Sequence, residues 1–146
     1  MKKIENTIEI NAPKEKVWQV LTDEKYYLQW YAAFGEGSTA ITDWQEGSKV
    51  IFTDGNGMGL IGKIAINRPN EELLIQMTGM LVEGAEDYDS PEAKGLQQAT
   101  EHYVLKDKDG ITVLHTAADM DESFYDMMSA AWDAAKEKIK ELAEQQ

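Results

Sequence analysis

The sequence predicts an α+β domain in which one long helix packs along an antiparallel sheet, and three observations carry that expectation. Short segments of alternating apolar and polar residues recur along most of the chain, separated by glycine and other turn residues. Two helical segments interrupt this series once, near its start, and a single long amphipathic stretch ends it.

The first strand is expected over residues 4–10, where isoleucine at 4, 8 and 10 alternates with Glu5, Thr7 and Glu9. Asn11-Ala12-Pro13 then offers a polar cap and a proline suited to a first helical turn, and Val17, Trp18 and Leu21 recur at helical spacing. Thr22-Asp23 can cap a second short helix, whose Tyr26, Tyr27, Trp30 and Tyr31 gather aromatic surface before the Gly35-Glu36-Gly37 break. Six further β-type runs follow, over 39–44, 49–53, 60–67, 73–80, 100–106 and 111–118, giving seven strands in all. The turns between them are mostly short, which selects antiparallel hairpins over helical crossovers. The exception is the acidic stretch 81–95, either a lid over a site or a solvated insertion.

The final helix is expected over 120–144, with Asp119 and Glu122 in capping-box spacing. Phe124, Met127, Met128, Ala131, Trp132, Ala135, Ile139 and Leu142 follow at steps of three and four, and charged residues fall between them. A stripe of that size, at about 1.5 to 3 kcal/mol per large side chain fully buried, belongs on a core.

A chain of 146 residues is long enough for one sizeable core and too short for two, so one domain over residues 1–146 is expected. No run approaches the roughly 18 apolar residues of a membrane span, and the N-terminus lacks the apolar segment of a signal peptide. A soluble, cytoplasmic protein is therefore expected. The absence of cysteine excludes disulfides, thiolate nucleophiles and cysteine-based metal sites. A formal charge of −13 repels phosphate backbones and anionic lipid surfaces, which argues against nucleic-acid and membrane partners.

Among motifs, Gly57-Met58-Gly59-Leu60-Ile61-Gly62 matches a dinucleotide fingerprint by letter, but a strand rather than a helix follows it. None of Ser38, Ser48, Ser90 and Ser123 sits in a nucleophile elbow. His102 and His115 lie side by side if residues 107–110 form a four-residue loop. A two-residue Asp109-Gly110 turn instead pairs His102 with Ala117. No cofactor and no metal are expected; were the histidines a metal site, Glu101 and Asp119 are the nearest candidates for further ligands.

Residues 8–23, Ile-Glu-Ile-Asn-Ala-Pro-Lys-Glu-Lys-Val-Trp-Gln-Val-Leu-Thr-Asp, resemble the entry segment of the START and Bet v 1-like superfamily. Trp30 at the close of the second helix, Glu46-Gly47 before a strand, Gly62, Arg68-Pro69 and Leu73 extend the resemblance over nearly the whole chain. Together they look most like the branch named for the activator of the 90-kDa heat-shock protein ATPase. The resemblance implies a helix-grip fold: a curved seven-stranded antiparallel sheet and two short helices that hold a long C-terminal helix, with an apolar cavity between. Across the superfamily such cavities bind hydrophobic small molecules.

The expected function is therefore binding of a small hydrophobic ligand, by a monomer or homodimer. The residues expected to contact it are Trp30, Trp44, Phe52, Met77, Tyr103, His115, Phe124, Met128 and Trp132, large and adaptable side chains that otherwise simply fill a core. Two alternatives follow from the same resemblance. One is a chaperone-activator-like module with a protein partner, although the eukaryotic activators carry a further N-terminal domain without counterpart here. The other is a cyclase-like enzyme using the same cavity, with Tyr103 and His115 as its first polar candidates.

Overall fold

A computed structural model describes residues 1–145. In chain order the elements are β1 (Lys2–Ile10), α1 (Lys14–Thr22), α2 (Glu24–Tyr31), β2 (Thr39–Ile41), β3 (Lys49–Thr53), β4 (Gly59–Arg68) and β5 (Glu72–Val82). They continue with β6 (Ala85–Asp87), α3 (Pro91–Leu96), β7 (Thr100–Lys108), β8 (Ile111–Met120) and α4 (Tyr125–Glu144). Seven strands form one curled antiparallel sheet in the order β1-β8-β7-β5-β4-β3-β2, and short β6 folds back onto the end of β5. This is the helix-grip arrangement. β1 and β2 are the two edges, so α1 and α2 carry the chain from one edge to the other. No helix among the described residues is long and apolar enough to cross a membrane.

Two irregularities curl the sheet. Thr78 is skipped where Ile61 pairs with Gly79 and Gly62 with Met77, and Ala65 is skipped where Ile64 pairs with Ile75 and Ile66 with Leu74. Each extra residue sharpens the local twist and bends its strand. Gly62 stands at the first of them, where a Cβ would lie 2.9 Å from Ile75 Cγ2 and 3.0 Å from the Gln76 carbonyl. The missing side chain lets β4 and β5 approach.

Residues of alternate parity, among them Ile4, Ile10, Leu73, Ile75, Met77, Tyr103, Leu105 and Leu114, are buried on the concave face. From Trp132 onward α4 fills that face with Trp132, Ala135, Ile139 and Leu142. Trp30 anchors α2 to α1, its indole Nε1 donating to the Val20 carbonyl at 2.9 Å. At the far corner the Asn11 amide donates to Glu144 Oε2 at 2.8 Å, tying the end of β1 to the end of α4.

Several boundaries differ from the sequence expectation, each for a local reason. β2 ends at Ile41, because the Thr42 and Asp43 side chains accept from the Trp44 and Gln45 amides and turn the chain out of the sheet. Trp44 itself takes a left-handed backbone, φ 62°. The last helix begins at Tyr125, after a single 3-10 turn over Glu122–Phe124. Asp121 rather than Asp119 caps that turn, its Oδ1 accepting from the Ser123 amide at 2.9 Å. Asp119 stays in β8, where it accepts from the Thr100 amide and from Lys3 Nζ, each at 3.0 Å. The acidic stretch 81–95 is not a bare loop: it holds β6 and most of α3, the latter capped by Ser90, whose Oγ accepts from the Ala93 amide.

Candidate functional site

α4 does not cover the sheet evenly. Its C-terminal half is packed, but beneath its N-terminal half a cavity of about 750 Å³ opens between helix and concave face. α3 contributes Pro91, Glu92, Gly95 and Leu96 to its wall. At the rim, Met58 and Leu60 from the β3–β4 hairpin and Phe124 from the 3-10 turn are 46%, 36% and 52% exposed.

Seven of the nine residues singled out from the sequence line this cavity: Trp30, Phe52, Met77, Tyr103, Phe124, Met128 and Trp132. The aromatic ones pack on one another. Trp30, Tyr103 and Trp132 form a triangle with ring centroids 6.1 to 6.5 Å apart, and Phe34 meets Trp132 edge-on at 5.0 Å. Across the cavity Tyr31 meets Phe52 at 6.2 Å. Such tilted and edge-to-face contacts fix ring positions and leave a rigid apolar wall.

Trp44 and His115 do not line it. Trp44 packs edge-on against Tyr27, 5.8 Å between centroids, outside the cavity. His115 points to the opposite, convex face of the sheet, with Nδ1 2.9 Å from Thr7 Oγ1. The turn between β7 and β8 is the two-residue Asp109-Gly110 form, so His102 pairs with Ala117 and His115 with Val104. Both rings border a shallow convex groove of about 310 Å³. They have separate partners, since His102 Nε2 lies 2.7 Å from Glu72 Oε2. Among the described residues no group of three or more histidine, aspartate and glutamate side chains is placed to hold a metal ion.

The polar chemistry of the cavity joins the expected Tyr103 to two residues not expected as ligand contacts. Glu101, two positions before Tyr103 on β7, faces the concave side with it, and Tyr31 joins them from α2. Glu101 is half-buried and borders the cavity. Desolvation pushes its carboxyl up to about 7, opposed only by a hydrogen bond from the Tyr103 hydroxyl. Burial, and after it the neighbouring Glu101 charge, raises both Tyr103 and Tyr31 well above the ordinary phenol range. Opposite Tyr103 in the ladder, the buried Thr116 Oγ1 has no partner among the described residues. A carboxyl that ionises near neutrality between two phenols can orient a polar group, balance a charge or carry a proton. The sequence did carry a signal for Glu101: it occupies the same parity as Tyr103 and Leu105, the buried face of its strand.

Solved structures share this architecture. The Aha1 dimer from Colwellia psychrerythraea superposes with a TM-score of 0.75 at 20% identity, covering 99% of this chain and 97% of that one. Protein MLL2253 from Mesorhizobium loti gives 0.74 at 16% identity, covering 97% and 96%. CalU16 from Micromonospora echinospora gives 0.67 at 19% identity, covering 97% and 76%. At these identities the likeness is one of fold. No curated protein sequence matches the chain. Residues 11–144, nearly the whole chain, match the family described as Activator of Hsp90 ATPase homolog 1-like protein, and the chain belongs to that family.

Proposed function

We propose that the protein binds a small, largely apolar molecule in the cavity between α4 and the sheet. One observation carries this: an opening of about 750 Å³ walled mainly by rings and methionines, with only a few polar groups set among them. Small-molecule sites span roughly 300 to 1,000 Å³ and have that lining. Binding draws on desolvation of the ligand's apolar body, while Glu101, Tyr103 and Tyr31 orient its polar end. The exposed apolar rim at Met58, Leu60 and Phe124 suits entry from water.

Titration with the neutral fluorophore N-phenyl-1-naphthylamine tests the proposal. Saturable one-to-one enhancement is expected on the folded protein, together with loss of the signal when Met77→Trp fills the cavity. Absence of saturable binding to the wild type sinks it. Native mass spectrometry of protein taken from its own cells then identifies any co-purifying molecule.

A protein partner is the second function proposed, favoured by Phe124 and Met127, which stand 52% and 63% exposed beside the cavity mouth. The Colwellia protein is a dimer, which supports a second copy of this chain as one such partner. Sedimentation of the wild type and of Met127→Glu distinguishes the two functions: charge at Met127 should dissociate a dimer built on this patch and leave probe binding intact.

A further inference from the structure

Apart from the amino terminus of Met1 at the rim, the charged groups lining the cavity are all acidic. Asp54, Glu92, Glu101, Asp119 and Asp121 border it, and among the described residues no lysine, arginine or histidine does. Four of these carboxylates lie toward the rim, and three are already engaged, Asp54 by the Asn56 amide. Asp119 holds Lys3 and the Thr100 amide, while Asp121 holds Ser123 beside the amino terminus of Met1.

Glu101 differs from the other four. Its register neighbours on both sides, Ile75 on β5 and Ala118 on β8, are apolar, and the titratable groups beside it are Tyr103 on its own strand and Tyr31 from α2. No cation faces it. Tyr31 is itself only 7% exposed, and it lines the cavity with a hydroxyl that has no protein hydrogen-bond partner among the described residues. The wall thus presents a carboxyl without a counter-charge and a buried phenol without a partner, both directed at the space a ligand would fill.

That combination discriminates between ligand charges. An anion meets like charge in a poorly hydrated site, where repulsion is little screened. A neutral molecule leaves the ionised carboxyl costly, so Glu101 must stay protonated. A cation relieves the carboxylate and also gains from the ring faces around it. We infer that the cavity takes an apolar amine in its ammonium form, with Glu101 as the counter-charge and the rings of Trp30, Phe34 and Trp132 around the apolar body. This rests on the small-molecule function proposed above and names its ligand class.

Competition against N-phenyl-1-naphthylamine tests it, using 4-phenylbutylamine, 4-phenylbutanol and 4-phenylbutyrate at pH 7.5 and physiological salt. The amine should displace the probe at roughly one tenth the concentration of the alcohol, with the carboxylate weakest. Glu101→Gln should still bind the probe but bring amine and alcohol within about threefold of one another. Glu137→Gln, on the exposed face of α4, should leave the tenfold preference intact, which separates Glu101 from the overall negative charge. If the alcohol or carboxylate competes as well as the amine, the inference fails and the binding function stands. A preference that survives in Glu101→Gln overturns the counter-charge assignment. Failure of the probe to bind the wild type removes both.

Discussion

Glu101 and Tyr103 stand two residues apart on the concave face of β7, so a carboxyl and a phenol share one stretch of cavity wall, and burial raises both above their ordinary ranges. β7 therefore carries polar chemistry on a face that is otherwise core.

The first prediction concerns stability and pH. Glu101 ionises at about 7 in the folded protein against 4.5 ordinarily. The folded state thus binds more protons than the unfolded state between those values, and stability falls as pH rises through that window. Glu101→Gln lacks this dependence. Relative to wild type, its urea midpoint should rise between pH 4.5 and 7.5 by the equivalent of about 2 to 3 kcal/mol. A difference that stays flat with pH would show that water reaches the carboxyl freely.

The second prediction isolates one hydrogen bond. Trp30→Phe keeps most of a buried ring but removes the Nε1 donor to the Val20 carbonyl at the α1–α2 corner. Leaving that carbonyl unpaired should destabilise by about 1 to 3 kcal/mol. Trp30→Ala, which also opens a void, should cost about 3 to 5 kcal/mol. Equal losses in the two variants, measured by urea unfolding, would place the whole effect in the hydrogen bond both have lost, and no loss in Trp30→Phe would place it in packing.

The helix-grip arrangement was legible because strand alternation, turn residues and the α4 stripe each repeat over many positions. The cavity was legible only as a property of the resemblance, since Met128 and Trp132 have the same spacing whether a helix covers a filled core or an opening. His115 lies on the convex face because it alternates with the buried Leu114 and Thr116, while the Asp109-Gly110 turn decides only its cross-strand partner. Trp44 looked like strand because it follows the β-type run Thr39-Ala40-Ile41-Thr42, and two side-chain-capped turns overrode that pattern. Stretch 81–95 hid β6 and α3 because both are too short for a period to register. The Ser90-Pro91 cap was the one local sign of α3. Glu101 was visible by parity, but its enclosure needs the third dimension.

The third prediction contrasts two glycines, Gly79 in β5 and Gly95 in α3. A Cβ at Gly79 would meet the Asp87 carbonyl at 2.6 Å and the Tyr88 ring at 2.5 Å, because β6 folds tightly onto β5 there. Gly79→Ala should therefore destabilise by about 1 to 3 kcal/mol and loosen β6, seen as faster amide exchange over residues 80–87. At Gly95, inside α3, a Cβ meets nothing within 4 Å. Gly95→Ala should stabilise by up to about 1 kcal/mol through helix propensity. A loss of stability at Gly95 would mean that α3 packs more closely than its geometry indicates.

The last prediction uses Ala118 to probe the space itself. This residue pairs with Glu101 across β7 and β8, is 4% exposed, and lines the cavity. In a filled core, Ala118→Leu forces side chains off their rotamers and costs about 1 to 3 kcal/mol. Facing an opening, the added carbons instead leave water for apolar surroundings at about 0.8 kcal/mol per methylene, so stability should hold or rise. Probe affinity should fall at the same time, because the new side chain occupies the wall beside Glu101. Urea unfolding and N-phenyl-1-naphthylamine titration of one variant read the two effects separately. Unchanged stability with weakened binding marks a cavity that admits a ligand, whereas lost stability with unchanged binding would place the probe elsewhere on the protein.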